Sequence, residues 1–346
     1  MPQKNTHILL IYTGGTIGMK ICPESDSLIP FDFSQISEEV PELSKSGCII
    51  DSYSFDPVID SSDVSIPFWQ ELARIIEENY TRYDGFVVLH GTDTMSYSAS
   101  ALSFMLENLE KPVVFTGSQL PIGMLRTDGK ENLISSIEIA SAQDENGHPI
   151  VPEVVIYFES QLYRGNRTTK FSAENFRAFR SPNAPVLADI GIHIKYHTQL
   201  IRYPDSWGNP LVVNYRLDPN VAVLKLFPGI TPQAIEAITH TDGLRALIIE
   251  TFGSGNAPTS TLFLDCIAEA ISRGIVVLNI TQCVTGKVDM DAYATGKALQ
   301  RLGVINGLDS TTEAATTKLF FLLGQNPDNE DVKRLLPNNL AGEITK

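Results

Sequence analysis

The chain has 346 residues, 43% hydrophobic and 8% aromatic, which is enough apolar material for one large core or two smaller ones. A formal net charge of −15 without any basic stripe argues against a nucleic-acid partner, because phosphate backbones favour clusters of lysine and arginine. Four widely separated cysteines lack metal-ligand spacing, and no apolar stretch is long enough to span a bilayer, so we expect free thiols in a soluble cytoplasmic protein.

Short β-branched runs alternate with segments of helical period through the first half of the chain. These runs are HILLIY, GFVVLH, PVVFTG and EVVIYF, which begin at His7, Gly85, Pro112 and Glu153. Apolar residues at helical spacing follow Pro67 and the HGTDT turn. This alternation predicts a larger N-terminal α/β domain with a doubly wound, mostly parallel sheet, over residues 1–195.

The alternation stops between Lys195 and Asn220, where Pro, Gly, Asn and Asp are mixed with little periodicity. We interpret residues 196–218 as a linker. Beyond it, the runs VAVLKLF, RALIIET and GIVVLNIT are again separated by helical segments. They predict a smaller C-terminal α/β domain over residues 219–346.

A glycine-rich turn, YTGGTIG (Tyr12 to Gly18), follows the first predicted strand. Its spacing matches neither the GxGxxG dinucleotide fingerprint nor the GxxxxGK[ST] phosphate loop. The turn instead presents Thr13 and Thr16 at the carboxyl end of a central strand, where open α/β sheets bind ligands. Taken alone, it is equally compatible with an ordinary turn whose threonines cap the next element.

Three further polar segments accompany this turn: IDSSDVS, HGTDTM and LYRGNRTTK. Their candidate residues are Asp60, Ser61, Ser62 and Asp63 in the first, Thr92 and Asp93 in the second, and Lys170 in the third. Each alone is explained by a turn, a helix N-cap or a solvated lysine. Together, at the strand ends of one sheet, they would supply a nucleophile, a base and substrate-binding groups without any histidine or cysteine.

These four motifs, in this order and at this spacing, closely resemble the bacterial type I L-asparaginases, the cytoplasmic branch of the asparaginase and glutaminase family. The resemblance extends over nearly the whole chain, through GSGNAP (Gly253 to Pro258) and TQCVTGKV (Thr281 to Val288). It implies hydrolysis of L-asparagine to L-aspartate and ammonia without a metal or organic cofactor. The glycine-rich turn would then serve chemistry and not phosphate binding.

The resemblance also implies roles for individual residues. Thr16 would be the nucleophile that forms a β-aspartyl ester, and Thr92, Asp93 and Lys170 would tune that threonine or the attacking water. Which threonine carries each half-reaction stays open.

The same resemblance assigns substrate binding and assembly. Asp60, Ser61 and Ser62 would hold the α-carboxylate and α-amino group, with Thr92 beside them and Asp93 paired with the ammonium. Asn256 and Tyr293 match, more loosely, positions through which a neighbouring subunit completes the pocket. We therefore expect a homo-oligomer built as a dimer of dimers.

One segment departs from the family pattern. Many relatives carry a tyrosine after the glycine turn, whereas the corresponding stretch here reads CPESDSLIPF (Cys22 to Phe31) and places Leu28 at that position. The group that activates Thr16 therefore stays open. The segment itself is typical of a mobile lid.

A second departure concerns regulation. Some type I relatives bind a second asparagine near the positions of Thr169, Thr281 and Cys283, with an arginine at the end of the strand RALIIET. This chain has Glu250 there. Replacing a cation by an anion predicts that activation by asparagine is weak or absent.

Two other functions remain as alternatives. The amidase-like subunit of a tRNA-dependent amidotransferase shares this catalytic architecture, but the acidic charge disfavours tRNA. A non-catalytic amino-acid sensor would not require Thr16, Thr92, Asp93 and Lys170 together. The preference for asparagine over glutamine stays open, because one methylene changes discrimination by only about 1–3 kcal/mol.

Overall fold

The computed structural model describes residues 6–21, 28–30 and 40–345. The chain divides into two compact units, each with its own core. Met1–Ser181 and Pro185–Val213 form the first unit, and Pro182–Ala184 and Asn214–Lys346 form the second. The predicted linker at 196–218 overlaps the end of the first unit, and its bounds stay a prediction.

The first unit contains these strands in chain order: β1 (His7–Tyr12), β2 (Met19–Ile21), β3 (Leu28–Pro30), β4 (Ile49–Ser54), β5 (Gly85–Leu89), β6 (Leu106–Glu107), β7 (Val113–Thr116), β8 (Val154–Phe158), β9 (Gln161–Arg164), β10 (Thr169–Lys170), β11 (Phe179–Arg180), β12 (Ala188–Ile190), β13 (Ile194–Tyr196) and β14 (Val212–Val213). The α-helices in the described residues of this unit are α1 (Ile66–Asn79), α2 (Met95–Met105) and α3 (Gly129–Ser141).

Eight of these strands form one sheet in the order β13-β12-β9-β8-β7-β5-β1-β4. The neighbours from β8 to β4 are parallel, and β9, β12 and β13 extend the sheet in antiparallel register. Every residue of β5, β7 and β8 is buried. Parallel strands covered on both faces read as continuous apolar runs, which explains why the sequence predicted them.

Helix α1 buries the apolar face that the sequence predicted. Phe68, Leu72, Ile75 and Ile76 are all buried, and a proline in the first turn begins the helix. Proline suits this position because the first backbone N–H groups of a helix have no intrahelical partner.

The strand order places a topological switch point at β1. The chain leaves β1, adds β4 on one side, and then adds β5 on the other side. The carboxyl ends of these three neighbouring parallel strands therefore lie next to one another. Open α/β sheets bind their ligands at such points, and the glycine turn, the DSSD loop and the HGTDT turn follow these three strands.

The second unit is a smaller α/β unit with a four-stranded parallel sheet. Its strands, in spatial and chain order, are β15 (Val221–Lys225), β16 (Ala246–Thr251), β17 (Val276–Thr281) and β18 (Ile305–Asn306). Its helices are α4 (Pro232–Thr239), α5 (Thr261–Ser272), α6 (Ala294–Leu302), α7 (Thr312–Gln325) and α8 (Asn329–Leu335). The predicted fold class, with a larger and a smaller α/β unit, is confirmed.

Both faces of the smaller sheet are covered. Leu247 and Ile249 of β16 belong to one apolar cluster, and Ala246 and Ile248 belong to another. Alternate residues of a strand point to opposite faces, so the sheet packs on both sides. Within the described ranges, no helix has both the length and the apolar composition needed to cross a membrane.

Candidate active site

Two glycines allow the three turns at the switch point to touch. Gly14 and Gly15 have φ values of +138° and +89°, which side chains rarely adopt. A Cβ atom on Gly14 would lie 2.1 Å from the carbonyl oxygen of Ile59, and one on Gly15 would lie 2.6 Å from the Cα and N atoms of Gly91. The glycine turn is therefore built for close packing against its two neighbours.

Thr16 follows this contact directly and begins a short 3₁₀ turn, Thr16–Gly18. The turn is anchored through Thr13, whose hydroxyl donates to the Leu89 carbonyl at 2.9 Å and whose carbonyl accepts from the Ile59 N–H at 2.8 Å. Thr16 is partly exposed, and no residue in the described ranges forms a hydrogen bond with its hydroxyl. Its oxygen is thus available to a substrate.

The segment predicted as a lid is described only in part. Leu28 pairs with Ile21 in the β2–β3 hairpin that follows the glycine turn. Cys22 to Ser27 and Phe31 lie outside the described residues. The role of this segment stays a prediction.

Lys170 joins the HGTDT turn to a distant part of the sequence. Its Nζ donates to Thr92 Oγ1 at 2.9 Å and lies 2.5 Å from Asp93 Oδ1. The Lys170 side chain is 19% exposed and that of Asp93 is 65% exposed, so the carboxylate is the solvent-facing end of the pair. Lys170 therefore lies within hydrogen-bond distance of both Thr92 and Asp93.

The DSSD loop packs against the same turn. Asp60 accepts hydrogen bonds from the Ser62 N–H at 2.8 Å and the Ser62 hydroxyl at 2.7 Å, and both lower the pKa of the Asp60 carboxyl below its usual range. Ser61 is buried, and its carbonyl accepts from the Thr94 hydroxyl at 2.6 Å. A Cβ atom on Gly91 would lie 2.5 Å from Ser61 Oγ, so Gly91 also must lack a side chain.

A buried histidine supports the HGTDT turn, and sequence reasoning missed it. His90 Nδ1 lies 2.6 Å from the Gly91 carbonyl, and His90 Nε2 lies 2.9 Å from Ser98 Oγ. Burial lowers the pKa of His90 to about 4, which keeps the ring neutral. The available signal was a histidine directly after an all-apolar strand; its partner Ser98 lies eight residues away and carries no motif.

The residues predicted to serve a neighbouring protomer lie in the second unit. Asn256 forms a β-bridge with Phe252, and its side-chain oxygen accepts from the Thr295 hydroxyl at 2.6 Å. Tyr293 precedes α6 and is 57% exposed. Asn256 is thus held within its own turn, whereas Tyr293 presents a large aromatic surface.

The residues predicted for an effector site are divided between the units. In the second unit, the Thr281 hydroxyl donates to the Gly253 carbonyl at 2.5 Å and accepts from the Cys283 N–H at 3.0 Å. Thr169 lies in the first unit, where it pairs with Arg180 across the β10–β11 ladder.

Glu250 already has partners for its charge. Its Oε2 atom accepts from Lys225 Nζ at 3.2 Å, and its Oε1 atom accepts from the Thr312 hydroxyl at 2.8 Å. The Glu250 side chain is 11% exposed, so the carboxylate is largely screened from solvent by these neighbours.

The described cysteines and acidic residues form no candidate metal centre. Cys48, Cys266 and Cys283 are free thiols, and Cys22 lies outside the described residues. In the part of the chain that the structure describes, no group of three or more His, Cys, Asp or Glu side chains is arranged to hold a metal ion.

Comparison with known proteins extends over both units. Residues 7–202 match the family described as asparaginase, N-terminal, and residues 220–336 match the glutaminase/asparaginase C-terminal domain. The chain is 43% identical over 340 residues to L-asparaginase 1 of Escherichia coli, covering 98% of each protein. It is also 33% identical over 347 residues to one chain of the glutamyl-tRNA(Gln) amidotransferase of Pyrococcus horikoshii, covering 98% of this chain and 76% of that protein.

The fold agrees with these sequence matches. The crystal structure of L-asparaginase I from Vibrio cholerae superposes with a TM-score of 0.89 at 40% identity, covering 99% of this chain and 100% of that one. Since sequence and fold agree over both units, the chain belongs to the asparaginase family.

Proposed function

We propose that this protein is an amidohydrolase that converts L-asparagine to L-aspartate and ammonia. The observation that carries the proposal is the Lys170 contact with both Thr92 and Asp93 at the switch point, where the glycine turn also places Thr16. Family membership and 43% identity to an L-asparaginase over nearly the whole chain support the same substrate.

Thr16 is the proposed nucleophile. Its Oγ1 attacks the side-chain amide carbon, the C–N bond breaks, and the hydroxyl proton leaves with the nitrogen as ammonia. The remaining β-aspartyl ester is then hydrolysed by water, which restores the Thr16 hydroxyl and gives aspartate. Lys170 places a positive charge 2.9 Å from Thr92 Oγ1, where it can stabilise negative charge during proton transfer.

Backbone N–H groups are the proposed donors to the amide oxygen. No residue in the described ranges accepts a hydrogen bond from the Thr92 N–H, which lies in the turn that follows the buried strand β5. Unpaired backbone donors at such a position are suited to stabilising a developing oxyanion.

The DSSD loop is the proposed binding site for the α-ammonium and α-carboxylate groups of asparagine. Asp60, with its lowered carboxyl pKa, stays charged at neutral pH and can pair with an α-ammonium group. Asp93 offers a second carboxylate, and Ser61 and Ser62 offer hydroxyl groups for the α-carboxylate.

We also propose a cytoplasmic homo-oligomer, assembled as a dimer of dimers in which Asn256 and Tyr293 contribute to a neighbouring site. The exposed ring of Tyr293 suits such a contact. Light scattering of the purified protein tests this assembly, and a fully active monomer would contradict it.

The alternatives are separated by one assay. Purified protein is incubated with L-asparagine and, in parallel, L-glutamine, and ammonia release is followed with and without a chelator. We expect turnover of asparagine that the chelator leaves unchanged. A sensor would bind asparagine without turnover, and a component of an amidotransferase would require charged tRNA and its partner for full activity.

Lys170→Met supplies the matched test of the cluster. Methionine keeps the length and removes the charge, so we expect kcat to fall about 10²- to 10⁴-fold in a folded protein. Lys195→Met changes an exposed lysine of β13 and serves as the control. Equal activity of both variants would refute the role of Lys170.

A further inference from the structure

A chain of three buried side chains ends at the peptide that precedes Thr92. Trp69 Nε1 of α1 donates to Ser98 Oγ of α2 at 2.9 Å, and Ser98 Oγ lies 2.9 Å from His90 Nε2. His90 Nδ1 lies 2.6 Å from the Gly91 carbonyl oxygen. Trp69, Ser98 and His90 are 5%, 0% and 1% exposed, so water does not compete for these contacts.

The groups at the two ends of this hydrogen-bonded series, the Trp69 indole and the Gly91 carbonyl, determine where its protons lie. A carbonyl oxygen only accepts, so Nδ1 of His90 carries the proton and donates to Gly91. The indole N–H of Trp69 only donates, so Ser98 Oγ accepts from it and turns its own proton to Nε2. The Gly91 carbonyl and the Ser98 hydroxyl thus favour the same tautomer of the neutral imidazole, in which Nδ1 donates and Nε2 accepts.

The Gly91–Thr92 peptide needs such a restraint. Gly91 has no side chain to limit its backbone, and a side chain there would collide with Ser61 Oγ. In a planar trans peptide, the carbonyl and the following N–H point in opposite directions. When His90 holds the Gly91 carbonyl towards the interior, the Thr92 N–H points away from the buried ring.

We propose that His90 is a positioning residue: its bond to the Gly91 carbonyl orients the Gly91–Thr92 peptide so that Thr92 meets the reacting amide. This inference rests on the proposed amidohydrolase function. His90 touches no reacting atom; it acts only through the peptide. Misplacing a group by about 1 Å can reduce a rate about 10²-fold, so the effect should appear in kcat.

Two amide substitutions distinguish this role from simple packing. His90→Asn retains an N–H donor close to the position of Nδ1, whereas His90→Gln moves its amide towards Ser98 and leaves the Gly91 carbonyl without the donor. We expect kcat for asparagine within about threefold of wild type in His90→Asn and a decrease of about tenfold to hundredfold in His90→Gln, with little change in KM. Trp69→Phe removes only the hydrogen bond to Ser98, which is the bond farthest from the Gly91–Thr92 peptide, and should retain kcat.

Crystal structures of the two His90 variants provide the second measurement. The Gly91–Thr92 peptide should keep its orientation in His90→Asn and rotate in His90→Gln. If His90→Gln does not fold, Ser98→Ala carries the test, because the ring then loses one of the two bonds that fix its tautomer and orientation, and kcat should fall several-fold with KM retained.

Failure of the proposed function and failure of the inference about His90 would give different results. A wild-type protein that releases no ammonia would refute the proposed function, and the peptide orientation in the variants would still decide the structural part of this inference. Active wild type with unchanged kcat in folded His90→Gln, or in Ser98→Ala where that variant replaces it, would overturn the inference. Equal loss of kcat in the two His90 variants, matched by equal loss of thermal stability, would assign His90 to packing alone.

Discussion

The imidazole of His90 is buried beside the turn that carries Thr92 and Asp93, and this burial ties the stability of the unit to pH. Desolvation disfavours the charged ring and lowers its pKa to about 4, compared with 6.5 for a solvated histidine. The folded protein therefore excludes a proton that the unfolded chain binds below pH 6.5.

This difference predicts loss of stability in acid. Above pH 6.5, both states hold a neutral ring and His90 has no effect. As the pH falls from 6.5 towards 4, the unfolded state gains protons and the free energy of unfolding falls, by on the order of 3 kcal/mol at pH 4. Urea unfolding between about pH 4 and 7 should show a steeper decline for wild type than for His90→Gln. Parallel curves would contradict the lowered pKa.

The sequence was enough to predict that the candidate site residues lie close together. It was not enough to predict which buried residues support them. Thr92 and Asp93 follow a recognisable apolar strand, and Lys170 belongs to a family motif. The contacts of Ser98 with His90 and Trp69 depend on how two helices pack, and neither Ser98 nor Trp69 lies in a motif. Likewise, nothing in the sequence indicated that Glu250 would form an ion pair with Lys225 and accept a hydrogen bond from Thr312.

Among the elements of the fold, the glycine turn after β1 sets the geometry of the site. Its backbone approaches the loop after β4 and the turn after β5 so closely that a Cβ atom does not fit at Gly14 or Gly15. Gly15 is also the N-cap of the 3₁₀ turn that begins at Thr16.

Gly15→Ala should therefore affect both stability and catalysis. At Gly15, a side chain would be disfavoured by the φ of +89° and would also place its Cβ atom 2.6 Å from the Gly91 backbone. We therefore expect a loss of about 3 kcal/mol or more in unfolding free energy and a lower kcat. Gly147→Ala is the matched control: its φ is +83°, but a Cβ atom there would meet nothing within 4 Å. That control should lose about 1–2 kcal/mol and keep its kcat. Equal effects of the two substitutions would show that the close approach is unimportant.

The strands were predictable to different degrees. Continuous apolar runs predicted β1, β5, β7, β8 and the three longer strands of the smaller sheet. Burial on both faces selects such runs in the inner strands, whereas β15 is only partly buried. Strands of two or three residues, such as Thr169–Lys170 and Ala188–Ile190, are too short to show a period. The antiparallel strands β9, β12 and β13 form because they pair with neighbouring strands, and their local sequence does not indicate this pairing.

At the scale of the whole molecule, cooperativity depends on whether asparagine also binds as an effector. The position where some relatives place an arginine carries Glu250, whose charge is paired with Lys225 and whose other oxygen accepts from Thr312. A carboxylate at this position would repel the α-carboxylate of an effector, and the two bonds of Glu250 hold its side chain in place.

We therefore expect hyperbolic dependence of the rate on asparagine concentration. Initial rates over a wide concentration range provide the measurement, with glutamine measured alongside. Clear sigmoidality that disappears in Thr169→Ala or Cys283→Ala would show that an effector site operates without the arginine.

The central claim is that Thr16 is the nucleophile of an asparagine amidohydrolase, and ammonia release by Thr16→Val tests it most directly. Thr13→Val is the matched control in the same turn: it removes the hydroxyl that donates to Leu89, but the Leu89 carbonyl still accepts from the Thr13 N–H at 3.0 Å. We expect both variants to fold, Thr13→Val to keep most of the wild-type kcat, and Thr16→Val to be nearly inactive. Turnover by folded Thr16→Val at a rate close to that of wild type would contradict the account.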